Sequence, residues 1–204
     1  MSKHSDMRIG LSYPPGWVQL PVGTSKKLEG DKDLALWADR TAREMLPGSL
    51  PEAASDRARQ LVHLTLGCRA RRDRSGLAFY PKDADGMVAM LDVKSYAPDR
   101  ENPVVTLDLL EEIYAAHSVD TVGDIETARV ELPSGPAVRV RGKRVEERDP
   151  TGQGTLMEGV THAIRPPGFD GAVVAIMTWT AIQLGDRLAE MADAIAKTIR
   201  VTPA

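Results

Sequence analysis

The sequence predicts an α+β fold, a three-layer α/β/α sandwich around a mainly antiparallel central sheet, and three observations lead there. In AVVAIMTWT (172–180) one alternating set is Ala172, Val174, Ile176 and Thr178 and the other is Val173, Ala175, Met177 and Trp179. Both sets are largely apolar, and a strand that is apolar on both faces must be covered on both. Four amphipathic helical segments are available as covers. The elements run as two hairpin-like strands, two helices, two strands, a helix, four strands and a helix. Several neighbouring strands are joined by short turns, which favours antiparallel pairing over a doubly wound parallel sheet. A chain of 204 residues holds a core burying roughly 70% of the unfolded surface, so one domain over 1–204 is expected.

Each element has a local reason. RIGLSYPPGWVQLPV (8–22) gives two extended pieces about Pro14, Pro15 and Gly16, because proline fixes φ and glycine admits positive φ; a hairpin or bent strand is expected. In 33–46, Leu34, Trp37, Ala38, Ala42, Met45 and Leu46 share a helical face, which Pro47 and Gly48 end. Ser49 and Glu52 have capping-box spacing, predicting a helix over about 50–72 with a buried stripe of Ala54, Ala58, Leu61, Val62, Thr65 and Cys68. GLAFYPKDADGMVAMLDVKSY (76–96) reads as two strands around Asp83, Asp85 and Gly86. Leu107, Leu110, Ile113, Tyr114 and His117 predict a helix near 106–118, with 119–124 as a connector. Four strands follow, and the RDPTGQG stretch is a loop. A closing helix over about 184–199 turns Leu184, Leu188, Met191, Ile195 and Ile199 inward and Asp186, Glu190, Asp193 and Lys197 outward.

Composition narrows the function. Hydrophobic residues at 42% and charged residues at 27% are those of a globular protein, without the bias of a disordered or fibrous chain. A net charge of -3 argues against nucleic-acid binding driven by phosphate neutralisation. Cys68 is the only cysteine, so no disulfide or multi-thiolate metal site forms within one chain, and a reducing cytoplasm fits. MSKHSDMRIG lacks the apolar core of a secretory signal, and no run approaches a membrane span, so neither export by that route nor membrane embedding is expected.

The segment ETARVELPSGPAVRVRGKRVEER (126–148) holds the most conspicuous charge pattern. With Gly135 at the turn centre, Leu132 pairs with Val138 and Val130 with Val140, while Glu131 faces Arg139 and Arg129 faces Arg141 on the opposite surface. Arg129, Arg139, Arg141 and Lys143 then form one outer strip, the candidate partner-binding residues. A solvated strand face accounts for the strip more readily, because exposed charge on strand faces is routine and limits edge pairing. On that register, replacing Arg139 and Arg141 by glutamate leaves thermal stability nearly unchanged.

Other constellations point away from chemistry. Arg69, Arg71, Arg72 and Arg74 end a helix, where the dipole favours cations. His4, His63, His117 and His162 have no metal-pairing spacing, and His162 shares a strand face with Val160 and Ile164, as a satisfied core histidine would. No GxSxG elbow occurs, Cys68 lies on an apolar helix stripe, and GQGTLMEG lacks the P-loop lysine and dinucleotide spacing. No catalytic residue, metal or cofactor is expected.

YPPGW near the start, LPSGPAVRV in the middle hairpin and a closing strand followed by LAEMADAIAKTI resemble the PsbP-like superfamily, in a bacterial branch. That superfamily includes the extrinsic photosystem protein, a Ran-binding nuclear-transport factor, bacterial lipoproteins and chaperones for secreted effectors. The resemblance implies an antiparallel sheet between helical layers and non-enzymatic binding, and it supplies no catalytic residues. The expected function is therefore a cytoplasmic, non-catalytic protein-interaction module, an adaptor or chaperone of a bacterial assembly. Its partner is a protein, not nucleic acid or membrane. The alternative is a small-molecule binder or enzyme with its site between the sheet and a helical layer, near Trp37, Trp179, Tyr80 and Tyr114.

Overall fold

The computed structural model describes residues 7–22, 30–70, 75–81, 86–101, 103–146 and 153–203. The elements are β1 (Met7–Gly10), β2 (Trp17–Leu20), α1 (Asp31–Met45), α2 (Pro51–Ala70), β3 (Ser75–Phe79), β4 (Ala89–Tyr96) and α3 (Leu107–Ala115). After these come β5 (Thr121–Leu132), β6 (Gly135–Glu146), β7 (Thr155–Ile164), β8 (Ala172–Trp179), α4 (Gly185–Ala196) and β9 (Arg200–Pro203). Seven strands form one sheet in the order β2-β3-β4-β8-β7-β6-β5, every neighbouring pair antiparallel. The predicted element order holds, with one strand added at the end.

β8 lies in the middle of that sheet, between β4 and β7. On one side Val173, Ala175, Met177 and Trp179 pack with Leu188, Ala189, Ala192 and Ile195 of α4. On the other, Val174 and Ile176 pack with Leu110 and Tyr114 of α3. The two-sided apolar pattern thus reports a strand sealed on both faces. Further along the α3 side, α1 and α2 cover β2 to β4 through Ala38, Ala42, Leu61 and Cys68 against Leu20 and Ala78. The layers are α1, α2 and α3 on one face, the sheet, and α4 on the other.

The helices begin and end where local chemistry allows, with some departures from the sequence reading. Gly48 adopts φ 78, the left-handed conformation that stops α1 from running on into α2. The Ser49–Glu52 capping box does not form, because the Ser49 hydroxyl donates to the Leu46 carbonyl at 2.9 Å and α2 starts at Pro51. α3 is capped by Thr106, whose hydroxyl accepts from the Leu109 amide at 3.1 Å. α4 ends at Ala196, not 199, and leaves Leu184 half-exposed.

Three expectations are corrected. The first two strands are not a hairpin, because β1 pairs with the missed strand β9 and β2 pairs with β3. β5 starts at Thr121 inside the predicted connector, and a register shift between Val122 and Glu126, with Gly123 at φ 72, lets it bend there. The β5–β6 register differs from the predicted one by three residues: Leu132 pairs with Gly135, Val130 with Ala137, Arg129 with Val138 and Ala128 with Arg139. Gly135, at φ 130, is the first residue of β6 and not the centre of the turn. A Cβ there would collide with the Arg165 carbonyl oxygen at 2.5 Å, so the close approach of the next loop also requires glycine. Asp83 and Asp85, the 147–152 loop and Arg71, Arg72 and Arg74 lie outside the described residues.

Candidate functional site

The register correction divides the predicted basic strip. Arg129 points to the α3 side, where it donates to Glu111 Oε2 at 2.8–3.0 Å and to Asp108 Oδ1 at 2.5 Å, and it is 54% exposed. Arg139 and Arg141 point to the α4 side and are each only 19% exposed. Lys143 shares their face and is exposed. The four residues do not form one continuous strip, and Arg139 and Arg141 do not face solvent.

On the α4 side the charges satisfy one another. Arg139 Nε and His162 Nε2 donate to the same oxygen of Asp193, at 2.7 and 2.9 Å. His162 is the buried, satisfied histidine the sequence implied, whereas Asp193 turns toward the sheet instead of outward. Burial alone would raise the Asp193 carboxyl, but the hydrogen bonds from His162 and Arg139 outweigh it and hold the group at about 2. Nearby, Arg141 Nε donates to Glu158 Oε1 at 2.8 Å, and its Nη2 donates to Asp186 Oδ1 at 2.8 Å. Trp179 Nε1 donates to the other Glu158 oxygen at 3.2 Å. Glu158 is buried, and α4 starts against it: a Cβ on Gly185 would overlap Glu158 Oε2. A hollow of about 500 Å³ lies beside this group, between Arg141 and Lys143 and the start of α4.

The α3 side has a different character. α3 covers only part of the β6–β7–β8 surface, and beyond its C-terminal end lies a cleft of about 260 Å³. Its floor exists because Gly142 on β6 stands opposite Gly159 on β7, which stands opposite Thr178 on β8, leaving two adjacent positions without side chains. Thr161, Val140 and Ile176 form the next row. Tyr114 and Ile113 of α3 and Ile125 of β5 wall the cleft. Burial, and Tyr96 beside it, push the Tyr114 phenol above its usual range, so it stays an uncharged donor. Ile176 and Thr178 are the only positions of β8 not fully buried, and both open into this cleft.

The predicted aromatic quartet does not converge. Trp179 lies in the α4-side core, Trp37 and Tyr80 pack with α1 and α2, and Tyr114 alone reaches the cleft. Tyr80 donates to Gln60 at 3.1 Å and lies 4.3 Å beneath the Arg57 guanidinium, while burial takes its phenol up to about 12. Arg69 donates to the Pro21 carbonyl at 2.9 Å, tying α2 to the end of β2. Cys68 is buried, 3.4 Å from Asp92 Oδ1. Among the described residues no group of three or more His, Cys, Asp or Glu could hold a metal, and no helix is long and apolar enough to cross a membrane. Gly142, Gly159, Thr161 and Thr178 escaped the sequence reading. The available signal was a glycine inside each of two strand patterns, VRVRGKRV and LMEGVTHA, which marks a close approach or a missing side chain.

No family model matches the chain, and no curated protein matches it. Neither comparison shows the PsbP-like superfamily that the sequence resembles. Among solved structures the chain is similar to LpqN, involved in cell envelope biogenesis of Mycobacterium tuberculosis. The identity is 13%, covering 98% of this chain and 87% of that one, with a TM-score of 0.49.

Proposed function

We propose that the protein is a non-catalytic binding module whose site is the cleft between α3 and the sheet. One observation carries this reading: beyond the end of α3 the inner strands β6, β7 and β8 open onto a floor with two glycines and two threonines. An apolar hollow with a few polar groups is the usual form of a small-ligand site. The reading takes up the alternative of a site between sheet and helical layer and moves it from the aromatic quartet to α3. Binding rather than catalysis is supported by the distribution of titratable groups. His162, Asp193 and Glu158, groups suited to general acid–base chemistry, are engaged on the opposite face and not with a molecule in the cleft. The lone buried Cys68 fits the cytoplasmic setting that belongs to this reading.

Native mass spectrometry of protein purified from its own host without organic solvent tests it. The expected spectrum shows an added small-molecule mass that Gly142→Leu, which fills the floor, does not carry. Ligand-free protein, together with a fragment screen by amide NMR whose shifts fall nowhere on the cleft, would overturn the reading.

A second reading, the protein-binding adaptor or chaperone, is favoured by a separate observation. On the α4 side, past the start of that helix, Val122, Leu156 and Leu184 are 38–39% exposed near Lys143. Exposed apolar side chains rimmed by charge mark contact surfaces. Val122→Glu with Leu156→Glu would then abolish partner capture and leave cleft binding intact.

A further inference from the structure

We infer that the cleft takes a flat, neutral, mainly apolar molecule carrying a single carbonyl or hydroxyl group, an inference that rests on the cleft being the binding site. Four features of the lining lead to this class.

The first is shape. The missing side chains at Gly142 and Gly159 lie side by side on neighbouring strands, which are about 4.8 Å apart, so the hollow runs across the strands as a slot. It is bordered on one side by the Val140, Thr161 and Ile176 row and on the other by Arg144 and Met157. A slot one row wide admits a planar ring or a conjugated chain. A volume of about 260 Å³ falls just under the roughly 300 Å³ at which drug-sized sites begin, which limits the molecule to modest size.

Charge comes second. Arg144 is the charged side chain whose strand position faces the cleft, and it is already neutralised by Glu146, which its Nε meets at 2.5 Å on the same face of β6. Lys143 and Glu158 also border the cleft, but their strand positions direct their side chains to the α4 face. The site therefore presents no unbalanced charge, and an ionised ligand would lose its hydration without compensation.

The third feature is hydrogen bonding. At the rim, Ser118 and Thr121 engage each other: the Ser118 amide donates to Thr121 Oγ1 at 2.9 Å and the two hydroxyls are 3.3 Å apart. Thr161 and Thr178 differ from them. They are diagonal neighbours on β7 and β8, half-buried, and both side chains line the slot. Two adjacent hydroxyls can hold one carbonyl or hydroxyl oxygen between them, with the Tyr114 phenol as a further donor on the wall. Finally, the walls are Ile113, Ile125, Val140, Met157 and Ile176, which offer a body of aliphatic contact and no second polar anchor.

The probe for this inference is prodan, an uncharged naphthalene with one ketone whose emission shifts to the blue when it leaves water; 1-anilinonaphthalene-8-sulfonate is its anionic counterpart of similar ring size. The full chain is expected to bind prodan saturably, and Gly142→Leu to abolish the signal. Thr161→Val and Thr178→Val keep the side-chain shape and remove one hydroxyl each. Each is expected to weaken prodan roughly 2- to 10-fold with the melting temperature held, the range of one hydrogen bond. If Gly142→Leu does not fold, the valine variants still decide the matter. Prodan binding undiminished in the Thr161→Val/Thr178→Val double variant overturns the inference. Tighter binding of the sulfonate than of prodan, still blocked by Gly142→Leu, overturns the neutral class and leaves the cleft as the site. Binding of both probes that ignores Gly142→Leu overturns the site itself.

Discussion

Asp193 on α4 accepts a 2.9 Å hydrogen bond from His162 on β7, so the outer helix is keyed to the sheet by a polar contact beside the apolar cluster. With Arg139 donating to the same oxygen, the contact fixes which way round α4 lies over β6 and β7. Its strength depends on the carboxyl being ionised.

Acid should loosen that key. The folded carboxyl titrates at about 2, below its ordinary 3.8, so its stabilisation is complete above about pH 4 and is lost as pH falls from there through 2. Discounted for its partial exposure, the contribution is on the order of 1 kcal/mol. Urea unfolding of wild type and Asp193→Asn is expected to differ most at neutral pH and to converge near pH 2. A difference that is constant across that range would mean the carboxyl does not titrate as described.

The two halves of the basic segment should behave oppositely. Arg141→Ala leaves Glu158, whose side chain is 4% exposed, held by the Trp179 indole without its cation, and breaking such a pair costs about 3 kcal/mol. At this chain length that is roughly 6–12 °C of melting temperature. Arg129→Ala removes an exposed pairing with Asp108 and Glu111 and is expected to leave the melting temperature unchanged. Calorimetry on the two variants checks both outcomes.

Gly185→Ala should destabilise, against the usual sign for a helix. Alanine is ordinarily favoured over glycine within a helix by about 1 kcal/mol. Here the added methyl overlaps Glu158 Oε2 and comes within 3.2 Å of Arg141, so the carboxylate must shift off its donors. A net loss of roughly 1–3 kcal/mol is expected from overpacking. Chemical denaturation measures it, and a stabilised variant would contradict the described seat of Glu158.

Gly76 and Cys68 should be energetically coupled. A Cβ on Gly76 would lie 2.8 Å from Cys68 Sγ, across the β3–α2 contact. Gly76→Ala alone crowds the sulfur and Cys68→Ala alone leaves a void. Together the new methyl moves into the vacated space, so the double variant is expected to be more stable than the sum of the singles by about 1 kcal/mol or more. A double-mutant cycle by urea unfolding reads the coupling directly.

What was legible in the sequence followed from periodicity. The two apolar faces of 172–179 gave the central strand and its covers, and Leu34, Ala38, Ala42, Leu188 and Ile195 marked helix faces that are buried. The middle hairpin was misread for a physical reason. Pairing valine with valine assumes that arginines face water, whereas Arg139 and Arg141 face α4 because Asp193, Glu158 and Asp186 wait there, supplied by elements distant in the chain. Local patterning cannot register a charge that a remote partner neutralises. The same limit hid the β1–β9 pairing, which joins opposite ends of the described chain. The cleft was hidden differently, since it is made by two glycines brought opposite each other, and an absent side chain has no periodic signature.

β8 is the seam between two ribbons, β2-β3-β4 and β7-β6-β5, and it follows every other strand of that sheet in the chain. Until residues 172–179 emerge from the ribosome, β4 and β7 each keep a bare edge, and the helical covers have no finished wall to lean on. The sheet therefore closes only when its last strand arrives, and a nascent chain paused ahead of that strand is the species a cell must keep from sticking to its neighbours.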